Sequence, residues 1–174
     1  MANRVIAIDY DKCVGCLTCE TVCSAVHCGE IHPARSRIRV VRLETEGSAI
    51  CVPVLCMKCV EAFCKAICPT GAICDDPTTG ARVINADRCI ACSACVYACP
   101  FGAIAVDRTL GRAFNCNLCE GEPVCVQFCP RQAIRYLDSD EVGIMLRRSS
   151  LDAYLAFARA LPPTVETAGT PSLG

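Results

Sequence analysis

The sequence predicts an α+β fold built from repeated small cysteine-bearing units and closed by a C-terminal helical extension. Three observations carry that reading. Sixteen of the 19 cysteines fall into four groups at close, recurring spacings. The text around those groups repeats, so each group belongs to one copy of a structural unit. The conventional core is also thin: 53% of the 174 residues are hydrophobic, but the 19 cysteines are among them, aromatics make up only 5% and tryptophan is absent. Such a chain needs another source of cohesion, and the cysteines are the candidates.

The first group is Cys13, Cys16, Cys19 and Cys23, spaced C-x2-C-x2-C-x3-C. The second is Cys56, Cys59, Cys64 and Cys68 (C-x2-C-x4-C-x3-C-P), and the third is Cys89, Cys92, Cys95 and Cys99 (C-x2-C-x2-C-x3-C-P). The fourth is Cys116, Cys119, Cys125 and Cys129, spaced C-x2-C-x5-C-x3-C-P. Groups two to four continue as C-P-x-x-A-I, ending at Ile73, Ile104 and Ile134, whereas Ser24 follows Cys23. The lead-ins Ile8 to Cys13 and Ile84 to Cys89 are also alike. Each unit therefore reads as short strand, cysteine loop, one or two helical turns, proline and a further short strand.

Between the groups the chain is strand-like. Arg37 to Glu44 and Ala49 to Leu55 predict a hairpin over Gly47 and Ser48. Asp76 to Gly80 predicts a turn joining Ala72–Cys74 to Arg82–Ile84, and Thr109-Leu110-Gly111 predicts another. Residues 139–161 are expected to be helical, as two pieces: Asp138 to Arg148, then Leu151 to Leu161. Ser149 with Asp152 resembles a capping box and so a fresh helix start. Leu151, Tyr154, Leu155, Ala158 and Leu161 form one apolar face, expected to dock on the body of the chain, a partner or a second copy. The Pro/Thr/Gly-rich stretch 162–174 is expected to be disordered.

Several classes are excluded. A net charge of −1, from 17 basic and 18 acidic residues, leaves no nucleic-acid footprint. A disulfide-rich secreted domain fits poorly with an odd cysteine count and with a start, Met1 to Cys13, lacking the basic-then-apolar pattern of a secretory signal. A cytoplasmic location is expected. Cys89 to Val106 carries no charge, but its cysteines, Ser93, Pro100 and Gly102 argue against a membrane span. The cations are mostly arginine, with Lys12, Lys58 and Lys65 the only lysines, a balance that suits interfaces.

The spacings point to iron–sulfur cubanes. A cubane takes four thiolates, one per iron; the compact triplet wraps three corners, and the cysteine beyond x3 is carried away on the helical turn to a different cluster. The proline after it ends that turn. Backbone amides in the loop can donate to cluster sulfurs. Structural zinc, the alternative, usually shows two C-x2-C pairs a dozen or more residues apart, whereas triplets dominate here. Sixteen ligands in four groups imply four 4Fe–4S clusters, with no substituted ligand to suggest a 3Fe centre and no histidine pair for a Rieske site. At roughly −2 each, four clusters would make the assembled protein far more acidic than its side chains. Cys28, Cys51 and Cys74 are left over and expected to be small buried hydrophobes, with His27 and His32 near Cys28. The clusters would then supply the missing core, so folding is expected to depend on their insertion.

From Val5 to Leu137 these four groups resemble the four-cluster iron–sulfur subunits of the dimethyl-sulfoxide-reductase type, which accompany molybdenum or tungsten enzymes, hydrogenases and carbon monoxide dehydrogenases. The resemblance implies two ferredoxin-like units: an outer one from 1–50 plus 108–138, with groups one and four, and an inner one from 51–107, with groups two and three. It also implies the ligand pairing: Cys13, Cys16, Cys19 and Cys129; Cys116, Cys119, Cys125 and Cys23; Cys56, Cys59, Cys64 and Cys99; and Cys89, Cys92, Cys95 and Cys68. The short x5 gap of group four and the lack of a following membrane helix resemble the soluble branch. The run from Cys23-Ser24-Ala25-Val26-His27 to Pro33-Ala34-Arg35-Ser36-Arg37-Ile38 is similar to small subunits of tungsten-dependent aldehyde oxidoreductases.

With protein ligands saturating every cluster and no dinucleotide fingerprint or phosphate loop, the expected role is electron transfer rather than catalysis. The chain would relay electrons between a catalytic oxidoreductase subunit, a tungsten or molybdenum enzyme being favoured, and a flavin/NAD or ferredoxin partner. The alternatives are a subunit of a hydrogenase, formate or carbon monoxide dehydrogenase complex, a free polyferredoxin, or a maturation factor.

Overall fold

The computed structural model describes residues 4–45 and 48–160. The strands are β1 (Arg4–Ile8), β2 (Arg39–Thr45), β3 (Ser48–Val54), β4 (Ile73–Asp75), β5 (Arg82–Ile84), β6 (Ala105–Asp107), β7 (Arg112–Phe114) and β8 (Ile134–Asp138). The helices are α1 (Thr18–Cys28), α2 (Phe63–Ala66), α3 (Ala94–Ala98), α4 (Val124–Gln127) and α5 (Ser139–Ala160). Among the described residues the strands form four two-stranded antiparallel ribbons: β1 with β8, β2 with β3, β4 with β5 and β6 with β7. β1 and β8 close the two ends of the cysteine-bearing chain on each other, Arg4 opposite Asp138 and Ile8 opposite Ile134. The three expected hairpins are present, while the turn at Gly47 lies outside the described residues.

Local chemistry explains the turns. The Asp76 carboxylate accepts from the Thr78 N–H (3.0 Å), the Thr79 N–H (2.7 Å) and the Thr79 hydroxyl (2.9 Å). Asp107 does the same for the Thr109 and Leu110 N–H groups at 2.9 and 3.0 Å. Side-chain acceptors of this kind replace a backbone partner and fix the reversal.

A two-stranded ribbon is marginal alone, so the ribbons are held by what packs on them. Ile6, Ile38, Leu55, Ala81, Leu118 and Ile134 form one buried cluster together with Cys19, Cys23 and Cys125. Ile73, Ile104 and Ala113 form another around Cys95, with Cys64, Cys68, Cys89 and Cys99 against it. Cysteines of groups one and four thus share one core, and those of groups two and three share the other. The seams expected at 50/51 and 107/108 fall inside β3 and inside the β6–β7 hairpin, so both cut paired strands. Residues up to Ser139 form one compact unit and those from Asp140 a second.

The single Ser-for-Pro departure has a direct structural consequence. A proline disfavours helix at the residue before it. Accordingly α2, α3 and α4 stop just short of Cys68, Cys99 and Cys129, and Cys99 is extended, with φ −81° and ψ 112°. After Cys23 nothing stops the helix, and α1 runs on to Cys28, where Gly29 ends it in the left-handed region at φ 72°. Ser24 is fully buried. Its hydroxyl donates to the Thr21 carbonyl (2.9 Å) and accepts from the His32 N–H (3.2 Å), which ties the following loop back to α1.

The C-terminal segment is one continuous helix of 22 residues rather than two. The Ser149–Asp152 pair does not restart it, because no proline or glycine interrupts Leu146 to Leu155 and a serine in a helix interior costs only about 0.5 kcal/mol. Leu161 and the stretch 162–174 lie outside the described residues, as does the Ala158 side chain.

Replacing Ser24 by alanine would remove both hydrogen bonds of a fully buried hydroxyl, to the Thr21 carbonyl and from the His32 N–H, and leave a small void in its place. We expect Ser24→Ala to cost about 1–3 kcal/mol, seen as a lower midpoint in anaerobic thermal unfolding of the iron-loaded protein.

Candidate iron–sulfur cluster sites

The cysteine loops share an unusual backbone. In all four, the residue two after the first cysteine has positive φ: Gly15 (67°), Lys58 (49°), Ala91 (53°) and Leu118 (59°). Groups one, three and four repeat this two residues later, at Leu17 (61°), Ser93 (65°) and Glu120 (58°). Left-handed residues at alternate positions in groups one and three, and in an unbroken run from Leu118 to Gly121 in group four, turn loop N–H groups toward one side, a concavity that favours an anion. For a non-glycine residue the left-handed region costs roughly 1–2 kcal/mol, so the loops are held in a shape the chain alone does not favour. Gly15 has an additional reason to be glycine: an added Cβ would lie 2.5 Å from Cys51 Sγ.

The fold gathers the cysteines into sets. Cys13, Cys16 and Cys19 line one cavity together with Cys129 from the far end of the chain, bounded by Leu17, Val40 and Ile134. Cys89, Cys92 and Cys95 line another together with Cys68, bounded by Ile73 and Ile84. Cys125 lies close enough to Cys116, Cys23 and Cys119 for their charges to push its thiol further up, after burial, the main cause. Cys64 is raised by burial first and then by Cys56 and Cys99. Among the described residues no three His, Cys, Asp or Glu side chains converge on a point suited to one metal ion. The cysteines ring cavities instead, and a thiolate set of that shape with apolar walls fits a multi-iron cubane.

The sets adjoin one another. Cys19 and Cys23 lie on α1 four residues apart, yet Cys19 lines the first cavity while Cys23 lies beside Cys125. The Cys19 thiolate acts on Cys125, and the Cys56 thiolate acts on Cys116. Burial pushes the Cys19 and Cys116 thiols up to about 12. These groups would hold their protons in a cluster-free chain and must release them to iron.

Backbone donors address the sulfurs. The amide four residues after the last cysteine donates to it in two groups: Ala72 N–H to Cys68 Sγ (3.3 Å) and Ala103 N–H to Cys99 Sγ (3.4 Å). In those two groups this is the role of the alanine in the C-P-x-x-A text. In group one that residue is His27, inside α1, and its amide belongs to the helix. A remote amide takes its place: Arg37 N–H donates to Cys23 Sγ at 3.3 Å. Ala113 N–H donates to Cys89 Sγ at 3.3 Å.

Sequence reasoning missed several supporting residues. His27 Nε2 lies 3.4 Å from Cys119 Sγ, 92 positions away. In the cluster-free chain burial, with Arg37 second, lowers its pKa to about 4. Glu20, buried between two cysteines of group one, accepts from the Val40 N–H (2.6 Å) and so pins β2 to α1. Lys58 in the second loop donates to the carbonyls of Arg4 (3.1 Å) and Thr79 (3.0 Å), and buried Arg82 donates to the Cys59 carbonyl (2.8 Å). Of the leftover cysteines, Cys51 is buried as expected and Cys28 half-buried. Cys74 is exposed, a correction with a simple cause: strand alternation on β4 turns Ile73 inward and Cys74 outward.

Comparison with known proteins agrees with this chemistry. Residues 48–139 match the model of the 4Fe-4S dicluster domain. The chain is 44% identical over 124 residues to the aliphatic sulfonate oxidoreductase, polyferredoxin-like subunit of Pyrococcus furiosus, covering 71% of this chain and 70% of that one. It is 34% identical over 165 residues to the electron transport protein HydN of Escherichia coli, covering 80% of this chain and 91% of that one. It is also 34% identical over 146 residues to the NADH-dependent phenylglyoxylate dehydrogenase subunit beta of Aromatoleum evansii. That match covers 82% of this chain but only 33% of the longer relative. Among the described residues no helix is long and apolar enough to cross a membrane.

Gly15→Ala is expected to cost about 1–2 kcal/mol from backbone strain alone and to abolish loading of the first set. Iron analysis should then fall by about four atoms per chain. Loading of the cluster-free chain should be more complete at about pH 8.5 than at about pH 6.5, read as bound iron after anaerobic reconstitution. Conversely, the cluster-free fold should lose stability as pH climbs from 9.0 toward about 12, because the unfolded thiols ionise first while Cys19 and Cys116 stay protonated in the fold.

Proposed function

This chain belongs to the 4Fe-4S dicluster family, and on that footing we propose that it relays electrons through four 4Fe–4S clusters between a catalytic oxidoreductase subunit and a second redox partner. It is an electron-transfer iron–sulfur protein and is not catalytic on its own. The observation that carries the four-cluster reading is the exchange of the last cysteine: Cys129 stands in the cavity of group one, and Cys68 in that of group three. The proposed ligand sets are Cys13, Cys16, Cys19 and Cys129; Cys23, Cys116, Cys119 and Cys125; Cys56, Cys59, Cys64 and Cys99; and Cys68, Cys89, Cys92 and Cys95.

When bound, each cluster supplies a one-electron redox centre. The protein's own part is to hold and tune it. Sixteen thiolates fix the positions. Apolar residues such as Ile38, Leu55, Ile73 and Leu118 keep water out between the sets. The amides of Ala72, Ala103, Ala113 and Arg37 direct partial positive charge at sulfur. Neighbouring sets share helices or adjoin through Cys19 and Cys125 and through Cys56 and Cys116, which supports a continuous relay.

The partner is proposed to be a catalytic oxidoreductase subunit, by analogy with two relatives that are themselves named as oxidoreductase or dehydrogenase subunits. The finer reading, a tungsten-dependent aldehyde oxidoreductase, rests on the run from Cys23 to Ile38. Metal analysis of the co-purifying subunit tests it: tungsten supports the reading and a nickel–iron centre overturns it. On α5, Ile144, Leu151, Tyr154 and Leu155 are exposed at helical spacing, and we assign them to contact with that partner. A complex of unchanged size after deletion of residues 140–174 would remove that assignment.

The ligand exchange has its own test. Anaerobically purified protein should hold roughly sixteen iron and sixteen sulfide per chain. Cys129→Ser should abolish the same electron-paramagnetic-resonance signal as Cys16→Ser; loss of the signal abolished by Cys116→Ser would reverse the pairing.

A further inference from the structure

The set Cys23, Cys116, Cys119 and Cys125 differs from the other three in what surrounds it. His27 Nε2 stands 3.4 Å from Cys119 Sγ. A metal-bound thiolate has no proton to give, so this contact requires the imidazole to donate through Nε2–H. The Arg37 N–H donates to Cys23 Sγ at 3.3 Å. The guanidinium of Arg37, largely withdrawn from water, acts on Cys23, Cys116 and Cys119 together, and on Cys28.

Two other arginines near the sets face carboxylates, while Lys58, which acts on Cys56, gives its hydrogens to the carbonyls of Arg4 and Thr79. Arg82 lies 3.3 Å from Asp75, and Arg35 lies 2.8 Å from Asp107. Among the described residues Arg37 has no such carboxylate, and its charge is directed at the thiolates. Both His27 and Arg37 line a cavity of about 230 Å³ beside Asn115 and Asn117 of the group-four loop. The set thus gains two long-range partners: Arg37, from the segment after α1, reaches Cys23, and His27, on the extra turn of α1 that the proline-terminated helices lack, reaches Cys119.

We propose that His27 and Arg37 are positioning residues that raise the reduction potential of the cluster held by Cys23, Cys116, Cys119 and Cys125 above those of the other three. Adding an electron makes a thiolate-bound cluster more negative. A full positive charge in a half-dry site and an extra N–H donor to sulfur both stabilise that state relative to the oxidised one. This inference rests on the ligand sets of the proposed function and concerns how one of them is tuned.

The test is an anaerobic redox titration of the full-length iron-loaded protein, followed by electron paramagnetic resonance, with iron content measured on every sample. In the unsubstituted protein one cluster should reduce at a higher potential than the other three, and Cys119→Ser should displace that wave and leave the others in place. Arg37→Gln and His27→Leu should each lower it by about tenfold in the reduced-to-oxidised ratio at a fixed potential, about 59 mV for one electron. Arg37→Lys should restore most of the Arg37 loss, which a merely structural role would not predict. Four waves present but unmoved in both variants, or all four moved alike, would overturn the proposal. So would the absence of a separate high wave in the unsubstituted protein, a result that stands even where a variant loses iron. Fewer than four clusters in the unsubstituted protein would instead defeat the ligand sets themselves.

Discussion

Everything in this fold depends on making thiolates face inward in a chain of modest size. Four thiolates around one cavity are mutually repulsive and costly to bury, as the raised thiols of Cys19, Cys116 and Cys125 record. The chain meets that cost with backbone dipoles before it uses side-chain charge. Left-handed residues at Gly15, Lys58, Ala91 and Leu118 turn loop amides to one side, and single amides from Ala72, Ala103, Ala113 and Arg37 reach individual sulfurs. The thin aliphatic core follows from the same constraint, because cysteine occupies positions where other small proteins place leucine or phenylalanine.

Much of the fold was legible because it is written in turn chemistry and repetition. Asp76 and Asp107 announce their reversals through side-chain acceptors, and the C-P-x-x-A text encodes a helix stop and, after Cys68 and Cys99, a donor to sulfur. Other features have no local signature. The contact of His27 with Cys119 spans 92 positions, and nothing near His27 in sequence identifies its partner. The positive φ of Ala91 and Ser93 contradicts the preference of those residue types, since convergence of the ligands imposes it. At Ser149 the failure ran the other way: a true capping pattern sits inside a helix that has no reason to stop.

Ser24 shows how one substitution in a repeat creates something new. In three units proline ends the helix and the next residues return to a strand. In the first unit the helix gains a further turn and its own clamp, Ser24 on His32. That turn carries His27, and the loop it anchors leads to Arg35 and Arg37. The repeat supplies four similar cages, and the interruption makes one of them unlike the rest.

The sharing of helices between neighbouring sets bears on how the protein is assembled and how it fails. α1 carries Cys19 for one proposed cluster and Cys23 for the next, while α4 carries Cys125 with Cys129 just past its end. α2 with Cys68 and α3 with Cys99 do the same for the other pair. A helix that loses one ligand contact is freed at the place that positions the neighbour's ligand. Occupancy of the two sites is therefore coupled: filling one pre-forms the other, and oxidative loss of one loosens the other. A chain that has lost one cluster would keep the neighbouring one but hold it less firmly than the intact protein does.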